Sequence, residues 1–328
     1  MKLIESSVEF IPQENGLEGI YKQIELAGRC CYKSEDKICE GSAEKMVNFL
    51  VNRKHGSPLE HGTIYLTIPD HEPDEFGRMS YGNVGVGNYG ANKYSRVTHR
   101  HYYQEPNETQ KDYCSKIPRM TTYVTTNYRV LVENGWLEDL KYLCEPTEYH
   151  EKRYTFKVIC SIGTSRELNR HRVNSICEQS TRYCNYSLNK FGSEITFVIP
   201  EWVKDTMTDI ASSIDWVTGQ TQNYILQMPM VETVRLCGPA LSRAVNCWIE
   251  SLKKAESDYL YLIDVEELKP QEAREVLPLS TATEVFYTAF ESDWNHFLEL
   301  RTAQGAHPDA RIIANNIKCL IEYKINES

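Results

Sequence analysis

Apolar residues recur at helical spacing in several segments of the chain. In SAEKMVNFLVNRK, residues 42–54, Met46, Phe49 and Leu50 fall on one face and Ser42 can cap the start, which predicts a helix. The C-terminal third repeats the i, i+3, i+4 spacing. It predicts helices over PALSRAVNCWIESLKKAESDYLYLI, PQEAREVLP, TEVFYTAFESDWNHFLELR and PDARIIANNIKCLIEY.

Three short apolar runs have the length and composition of buried strands. They are TIYLTI, YTFKVICSI and ITFVIP. The chain from residue 70 to about 120 is polar and rich in Gly and Tyr, without a clear period, and predicts an irregular excursion or lid. The fold class expected is α+β: a central mixed or antiparallel sheet flanked by helices, with a largely helical C-terminal third. We expect a single domain over residues 1–328, with an irregular inserted segment at about 70–150.

Composition narrows the function classes. The net charge of −10 disfavours a general nucleic-acid binder, which would present a basic face. No stretch approaches the roughly twenty apolar residues that span a bilayer, and the N-terminus is no signal peptide. The eleven cysteines include no CxxC pair. These patterns predict a cytoplasmic protein with buried thiols, without a metal site, a membrane partner or a nucleic-acid partner.

One polar stretch stands between two predicted strands. RHRVNSICEQSTRY, residues 170–183, holds three arginines in an acidic protein. Arginine binds phosphate or carboxylate through two parallel hydrogen bonds and keeps its proton, so a small anionic ligand is one interpretation. A salt-bridge network at a subunit interface is the other, and composition ranks them evenly. Helical spacing would put Arg170 and Asn174 on one face, with Arg166 a turn earlier.

Other candidate motifs carry less weight. GVGNYG, residues 85–90, matches a dinucleotide fingerprint but lacks the strand before it and the helix after it, so a loop is expected. The histidines of HRH, residues 99–101, have no carboxylate placed to complete a site. Cys177 and Cys184 flank the arginines, whose charge would lower the pKa of a nucleophilic thiol. That possibility stays open on the residues alone.

Residues 170–180 have the form Arg-His-Arg, seven residues, then Ser. This pattern resembles the signature of the flavin-dependent thymidylate synthases. Glu178 and the pair Arg182 and Tyr183 fall where that signature also has Glu and Arg-Tyr. HGSPLEHGTIYLTI, EAREVLP and FLELR resemble further segments of the family, in the same order. The resemblance covers residues 20–70 and 150–315.

The resemblance implies methylation of dUMP to dTMP. Methylenetetrahydrofolate would be the one-carbon donor, FAD the tightly bound cofactor and NADPH the reductant, in a homotetramer whose active sites are shared between chains. Arg301 is implied as the catalytic residue, because a fixed cation against the uracil ring stabilises charge when N3 loses its proton. The implied dUMP-binding residues are Glu167, Arg170, Glu178, Gln179, Ser180, Arg182 and Arg274. Those implied for the cofactor are Arg170, His171, Arg172 and Glu178. His296, which stands where short members have an Asn contact to FAD, and Ser57 are further cofactor candidates.

The sequence departs from the family where short members have Asn-Ala-Arg as FAD contacts. Phe290 and Ser292 occupy those positions. Asn127 and Arg129 have the missing Asn-x-Arg spacing, and we hypothesise that they bind FAD instead, against the simpler view that they begin an ordinary helix. Two other functions are kept as alternatives. One is a cysteine-nucleophile pyrimidine methylase, and the other is a non-catalytic nucleotide-binding homologue.

Overall fold

The fold is described from a computed structural model. The described residues are 1–69, 87–104, 117–171, 173–188, 192–206 and 242–327. Their strands are β1 Lys2–Ile4, β2 Ser7–Phe10, β3 Thr63–Pro69, β4 Arg96–Gln104, β5 Ile117–Asn127, β6 Arg153–Ser161, β7 Ser175–Glu178, β8 Thr196–Val198 and β9 Ala282–Phe290. Their α-helices are α1 Gly16–Tyr32, α2 Ser42–Asn52, α3 Gly56–Leu59, α4 Tyr128–Asn134, α5 Ile162–Leu168, α6 Arg243–Asp264, α7 Pro270–Ala273, α8 Glu291–Arg301 and α9 Pro308–Glu327.

The largest sheet is antiparallel and runs in the order β2-β6-β9-β7. Its two central strands pair along their whole length, from Arg153 opposite Phe290 to Ser161 opposite Ala282. Helices α8 and α9 contribute to the core beside this sheet, where Trp294 packs edge-on against a buried phenylalanine of β6. Burying one such large apolar side chain stabilises the fold by about 2 kcal/mol. The well-packed sheet therefore fixes the position of the residues in its edge strand β7.

Strand β9 corrects one prediction. The helix expected over TEVFYTAFESDWNHFLELR begins only at Glu291, and Ala282–Phe290 is a strand. Almost every side chain of β9 is buried, on both faces, because α8 and α9 pack against one side of the sheet and α1 against the other. A fully buried strand has no polar face, so its apolar residues also satisfy helical spacing. Its Thr, Val, Phe and Tyr side chains favour a strand, which is the signal that decides.

The second sheet, β3-β5-β4, is also antiparallel, and it corrects the expectation of an irregular segment from residue 70 onward. Strand β4 pairs only with β5, so it lies at an edge of the described sheet and needs few apolar side chains. That explains why its polar sequence gave no strand pattern. Of GVGNYG, residues 87–90 are described and form a turn and a short 3₁₀ helix, as a loop assignment requires.

The remaining pair, β1 and β8, is parallel and shares a core with α6 and α7. The α+β fold class is thus confirmed, with three sheets among the described residues in place of one central sheet. The strands predicted over TIYLTI, YTFKVICSI and ITFVIP are present as β3, β6 and β8. Helix α2 matches its prediction, although Gly41 and not Ser42 occupies the cap position. None of the described helices has the length and apolarity that crossing a membrane requires.

Candidate active site

The arginine-rich stretch follows α5, a short helix that leaves the end of β6. Ser161 caps this helix by accepting a hydrogen bond from Thr164 N at 3.1 Å. The helix ends at Leu168, and Val173 adopts a φ of 73°, which a β-branched residue rarely does. The prediction that Arg170 and Asn174 share a helical face is therefore wrong. Residues 173 and 174 are not helical, and β7 begins at Ser175.

The first cavity, called the Glu178 cavity, has a volume of about 640 Å³. It lies where β7 meets the loop before β9. Four of the residues implied for dUMP binding line it together: Glu178, Gln179, Ser180 and Arg274. Arg166 and Thr181 line the same space. Two guanidinium groups, the carboxylates of Glu178 and Glu275 and hydroxyl groups line one cavity, and the arginines can bind the phosphate of a nucleotide.

Neutral donors hold the Glu178 carboxylate. Ser165 Oγ and Thr283 Oγ1 donate to its Oε1 at 2.8 and 3.1 Å, and Asn169 Nδ2 donates to Oε2 at 3.0 Å. Tyr287 donates its hydroxyl to Asn169 Oδ1 at 2.7 Å, which fixes the orientation of that amide. Within the described chain no arginine pairs with Glu178. A carboxylate has about four acceptor positions, so one remains for a ligand.

Arg182 lies beside this cavity without being part of its lining. Its Nε donates to Gln271 Oε1 at 3.2 Å, and its guanidinium lies 5.3 Å from the centre of the Tyr183 ring. Arg274 Nη1 donates weakly to Thr181 Oγ1 at 3.4 Å. The two arginines thus stand at the exposed rim formed by α7 and the turn after Ser180.

The second cavity, called the Arg301 cavity, has a volume of about 640 Å³ and is lined by Arg170, His171, Asn174 and His296 as well as Arg301. Arg301 Nε donates to His171 Nε2 at 2.8 Å. Burial, with the nearby Arg301 and His296, lowers the pKa of His171 to about 4, so the ring is neutral near pH 7. Because Nε2 accepts, we assign the ring proton to Nδ1.

Glu167 holds Arg301 from the other side. Its carboxylate Oε2 lies 3.3 Å from Arg301 Nη1, and its backbone oxygen accepts from Nη2. Glu167 Oε2 is also 3.7 Å from Arg170 Nη1. Glu167 was implied for dUMP binding, but in the chain it contacts the arginines of the second cavity and does not line the Glu178 cavity.

The implied residues therefore fall into two groups. One cavity is lined by Glu178, Gln179, Ser180 and Arg274. The other is lined by Arg301 together with three cofactor candidates, Arg170, His171 and His296. One chain does not bring Arg301 into the lining of the Glu178 cavity. Arg172 lies outside the described residues.

Three cofactor candidates lie elsewhere. Ser57 Oγ donates to Ile176 O at 2.8 Å, which ties α3 to β7. Asn127 is buried and caps α4 by accepting from Val130 N at 3.1 Å. Arg129 lies over Gly56 and pairs with Glu60 and Glu133. Asn127 and Arg129 thus have structural contacts at a helix start, and their binding of FAD stays a prediction.

The two departures from the family sit in a closed polar cluster. The Phe290 ring is 2% exposed and lies 4.2 Å from the guanidinium of Arg96 and 5.3 Å from that of Arg153. Ser292 donates its hydroxyl to Glu151 Oε1 at 2.5 Å, and Glu151 also pairs with Arg96 at 3.3 Å. Phe290 is therefore a core residue between two cations, and its side chain does not face the Arg301 cavity lining.

Neither flanking cysteine is placed as a nucleophile. A hydrogen bond with Cys31 and burial raise the pKa of the Cys177 thiol well above its usual value. Cys184 is completely buried in the core shared by β8 and α6. A nucleophilic thiol needs a lowered pKa and access to substrate. Cys177 lacks the lowered pKa, and both thiols are buried outside the linings of the Glu178 and Arg301 cavities.

Sequence reasoning missed the residues that hold Glu178 in place, namely Ser165, Asn169 and Thr283. Ser165 and Asn169 lie four residues apart at the end of α5, whereas Thr283 lies in β9, far along the chain. Nothing in the local sequence indicated that these side chains face Glu178. Sequence reasoning also gave Asn174 no role, although its Nδ2 is buried without a partner among the described atoms and the residue lines the Arg301 cavity. An amide beside the Arg-His-Arg motif was the available signal.

Comparison with known proteins decides the family. Residues 145–324 match the model of the family described as thymidylate synthase complementing protein. The chain belongs to this family, the flavin-dependent thymidylate synthases. It is therefore an enzyme, a methyltransferase. A curated relative, the flavin-dependent thymidylate synthase of Aquifex aeolicus, is 22% identical over 334 residues, covering 94% of this chain and 96% of the relative.

Solved structures were compared as well. One similar structure is that of the UMP/dUMP methylase PolB from Streptomyces cacaoi with 5-Br dUMP. It is 18% identical, with a TM-score of 0.38, covering 98% of this chain and 91% of PolB. PolB with 5-Br UMP matches at 17% identity and a TM-score of 0.38, covering 98% of this chain and 90% of that one. A TM-score this low supports no argument about the site.

Proposed function

We propose that the protein methylates dUMP to dTMP, with methylenetetrahydrofolate as one-carbon donor, FAD as cofactor and NADPH as reductant. Family membership supports the reaction class. The observation that carries the assignment to this chain is the Glu178 cavity. The consecutive residues Glu178, Gln179 and Ser180, all implied for dUMP binding, line it together with Arg274 from a distant part of the chain.

In this proposal the nucleotide phosphate is bound by the guanidinium groups of Arg274 and Arg182 at the cavity rim. Arginine suits this role because its planar group donates two parallel hydrogen bonds to phosphate. Ser180 adds a hydroxyl donor. Glu178 uses its remaining acceptor position for a ribose hydroxyl or a ring N–H of the nucleotide. Asn169 and Tyr287 keep that position aimed into the cavity.

The Arg301 cavity fits a flavin dinucleotide in its donor set. Arg170 is 71% exposed and can turn towards a diphosphate, and Asn174 Nδ2 is an unpartnered buried donor. His171 presents a neutral N–H, and His296 completes the lining. When bound, FAD supplies the hydride that completes the methyl group. The chain's own residues bind and orient the cofactor, and Arg301 and burial keep the His171 ring neutral beside it.

Arg301 is proposed as the catalytic residue. Glu167 and His171 hold its guanidinium in a fixed position. A fixed cation against the uracil ring stabilises the negative charge that develops when N3 loses its proton, and such stabilisation is worth about 3 kcal/mol. Because Arg301 and Glu178 line different cavities of one chain, we propose that they meet between chains of a homotetramer with shared active sites.

The remaining expectations are proposals of the same kind. We propose one domain over residues 1–328, since β5 of the inserted segment pairs with β3 of the preceding chain and β4 pairs with β5. We propose a cytoplasmic protein whose other partners are small molecules. The burial of Cys177 and Cys184 disfavours a cysteine-nucleophile methylase. A non-catalytic nucleotide-binding homologue would differ from our proposal only in forming no dTMP.

The test is dTMP formation by the purified protein reconstituted with FAD. We expect a yellow holoenzyme that forms dTMP only when dUMP, methylenetetrahydrofolate and NADPH are all present. Ser180→Ala should weaken dUMP binding, whereas Ser251→Ala, on the exposed face of α6, should not. A protein that binds no FAD, or binds it without forming dTMP, contradicts the proposal.

A further inference from the structure

A third cavity lies on the other side of the turn that carries Ser180. It is formed by α1, α2 and Tyr183 and has a volume of about 650 Å³. Its lining includes five cationic side chains and one carboxylate, those of Arg29, Lys33, Lys37, Lys45, Arg53 and Asp36. We call it the lysine cavity. No residue implied for dUMP or FAD belongs to its lining.

The positive charge of this cavity is unusual for the chain. The protein as a whole has a net charge of −10. Arg29 is paired with Glu25 at 2.9 Å, and Lys33 contacts two glutamates. By contrast, Lys37, Lys45 and Arg53 have no carboxylate within 4.0 Å among the described residues. Several unpaired cations around one concave surface repel one another and attract an anion with more than one charge.

The same cavity offers aromatic faces. Tyr183 is 55% exposed, and its ring centre lies 5.6 Å from that of Tyr32. Phe49 is 43% exposed and has the Arg53 guanidinium 5.3 Å from its ring centre. Exposed aromatic rings beside cations bind planar rings by stacking and hold the attached anionic groups nearby. A small inorganic anion would leave these faces unused.

The lysine cavity adjoins the Glu178 cavity. Ser180 N donates to the backbone oxygen of Cys31 at 3.1 Å, which joins the turn to α1. Ser180 lines one cavity and Tyr183, at the end of the same turn, lines the other. A ligand in the lysine cavity would therefore lie next to the nucleotide.

We propose that the lysine cavity binds the anionic chain of a ring-bearing co-substrate. This inference rests on the proposed function, which supplies two such molecules. One is a reduced folate extended by γ-linked glutamates, and the other is NADPH with its phosphates. Their shared chemistry is a planar ring joined to several negative charges. Lys37, Lys45 and Arg53 bind the charges, and Tyr183 and Phe49 contact the ring or its linker.

The test compares matched probes on the oxidised FAD-bound enzyme by calorimetry. One pair is folate pentaglutamate and folate monoglutamate, which differ in carboxylates. The other pair is NADPH and NADH, which differ in one phosphate. The variant Lys37→Gln/Lys45→Gln removes two charges from the cavity. The control Lys253→Gln/Lys254→Gln removes two exposed lysine charges from α6.

We expect the wild type to prefer the more charged member of at least one pair by about tenfold, since two to three ion pairs of moderate strength give that factor. The Lys37/Lys45 variant should lose this preference, and the control should keep it. Loss for the folate pair identifies carboxylates as the ligand, and loss for the NADPH pair identifies phosphate. Unchanged preferences in both pairs, no preference in the wild type, or equal losses in the control would overturn the inference.

Affinity for dUMP and formation of dTMP are measured on the same preparations. If the wild type forms no dTMP, the proposed function fails, but the charge preference still decides whether the cavity binds anions. If dTMP is formed and the preference is absent, only the lysine cavity inference fails. The two failures are therefore distinguishable.

Discussion

Asn169→Asp should make the stability of the protein depend on pH in a way that the wild type does not. In the wild type, Asn169 Nδ2 donates to Glu178 Oε2 at 3.0 Å. The Asn169 amide cannot rotate by 180° without losing both hydrogen bonds, because Tyr287 donates to its oxygen at 2.7 Å. The substitution therefore places a second carboxyl group against Glu178. Two carboxylates at that distance repel by about 5 kcal/mol at an effective dielectric constant of about 20.

The variant can relieve this repulsion by binding a proton, so the pKa of the introduced carboxyl group rises above its unfolded value of about 4. A raised folded-state pKa gives stability that is complete below the unfolded pKa and is lost as pH rises through the folded pKa. We expect Asn169→Asp to lower the free energy of unfolding by about 5 kcal/mol at pH 8, where the repulsion sets the limit, and by about 1.5 kcal/mol at pH 5, from the distance of that pH to the unfolded pKa.

Urea unfolding of the two proteins at pH 5 and pH 8 measures this difference. Asn316→Asp is the matched control, because Asn316 is exposed on α9 and the same change there should cost less than about 0.5 kcal/mol at both pH values. A penalty for Asn169→Asp that is equal at pH 5 and pH 8 would refute the proposed contact between the amide and Glu178. A penalty near zero at both would mean that the Glu178 network does not contribute to the fold.

Three further predictions concern binding, chemistry and pH. Arg182→Lys should weaken dUMP binding about tenfold in calorimetry, because Lys lacks the planar pair of donors; unchanged affinity would make Arg182 structural. Cys177→Ala should keep most dTMP formation, and Arg301→Ala should lose it by about a hundredfold or more; the reverse would restore the cysteine mechanism. Burial lowers the pKa of His61 to about 3. This group therefore costs the folded state nothing above about pH 6.5, and it lowers the free energy of unfolding as the pH falls below that value. His61→Gln should remove about 2 kcal/mol of the stability lost between pH 7 and 5 in urea unfolding.

Sequence patterns predicted the elements whose residues alternate between a buried and an exposed face. Helix α2 and strand β6 are examples, because each has one apolar side and clear ends. Strand β9 was mistaken for helix because it is buried on both faces. Strand β4 was missed because an edge strand can be polar. In both strands the position within the fold determines which residues are apolar, and the spacing of apolar residues along the sequence does not show that position.

The site shows the same division. The family signature pointed to Glu178, Ser180 and Arg274, and the fold brings them to one cavity. It did not indicate that Asn169 and Thr283 fix the carboxylate, since the first contact depends on how the chain turns between α5 and β7 and the second joins elements that are distant in sequence. The basic lining of the lysine cavity could not be predicted from the sequence either, because its charged residues are spread over α1, α2 and the loop between them.

In the proposed reaction, dUMP methylation depends on flavin and uses the residues of the Glu178 cavity. Its most direct test is a single-turnover measurement of dTMP formed by the FAD-bound, reduced enzyme mixed with dUMP and methylenetetrahydrofolate. We expect about one dTMP per active site as the flavin absorbance returns, with Arg274→Gln defective in dUMP binding and Arg311→Gln, on α9, unaffected. Reoxidation of the flavin without dTMP, or dTMP formed equally well after FAD is removed, would contradict the account.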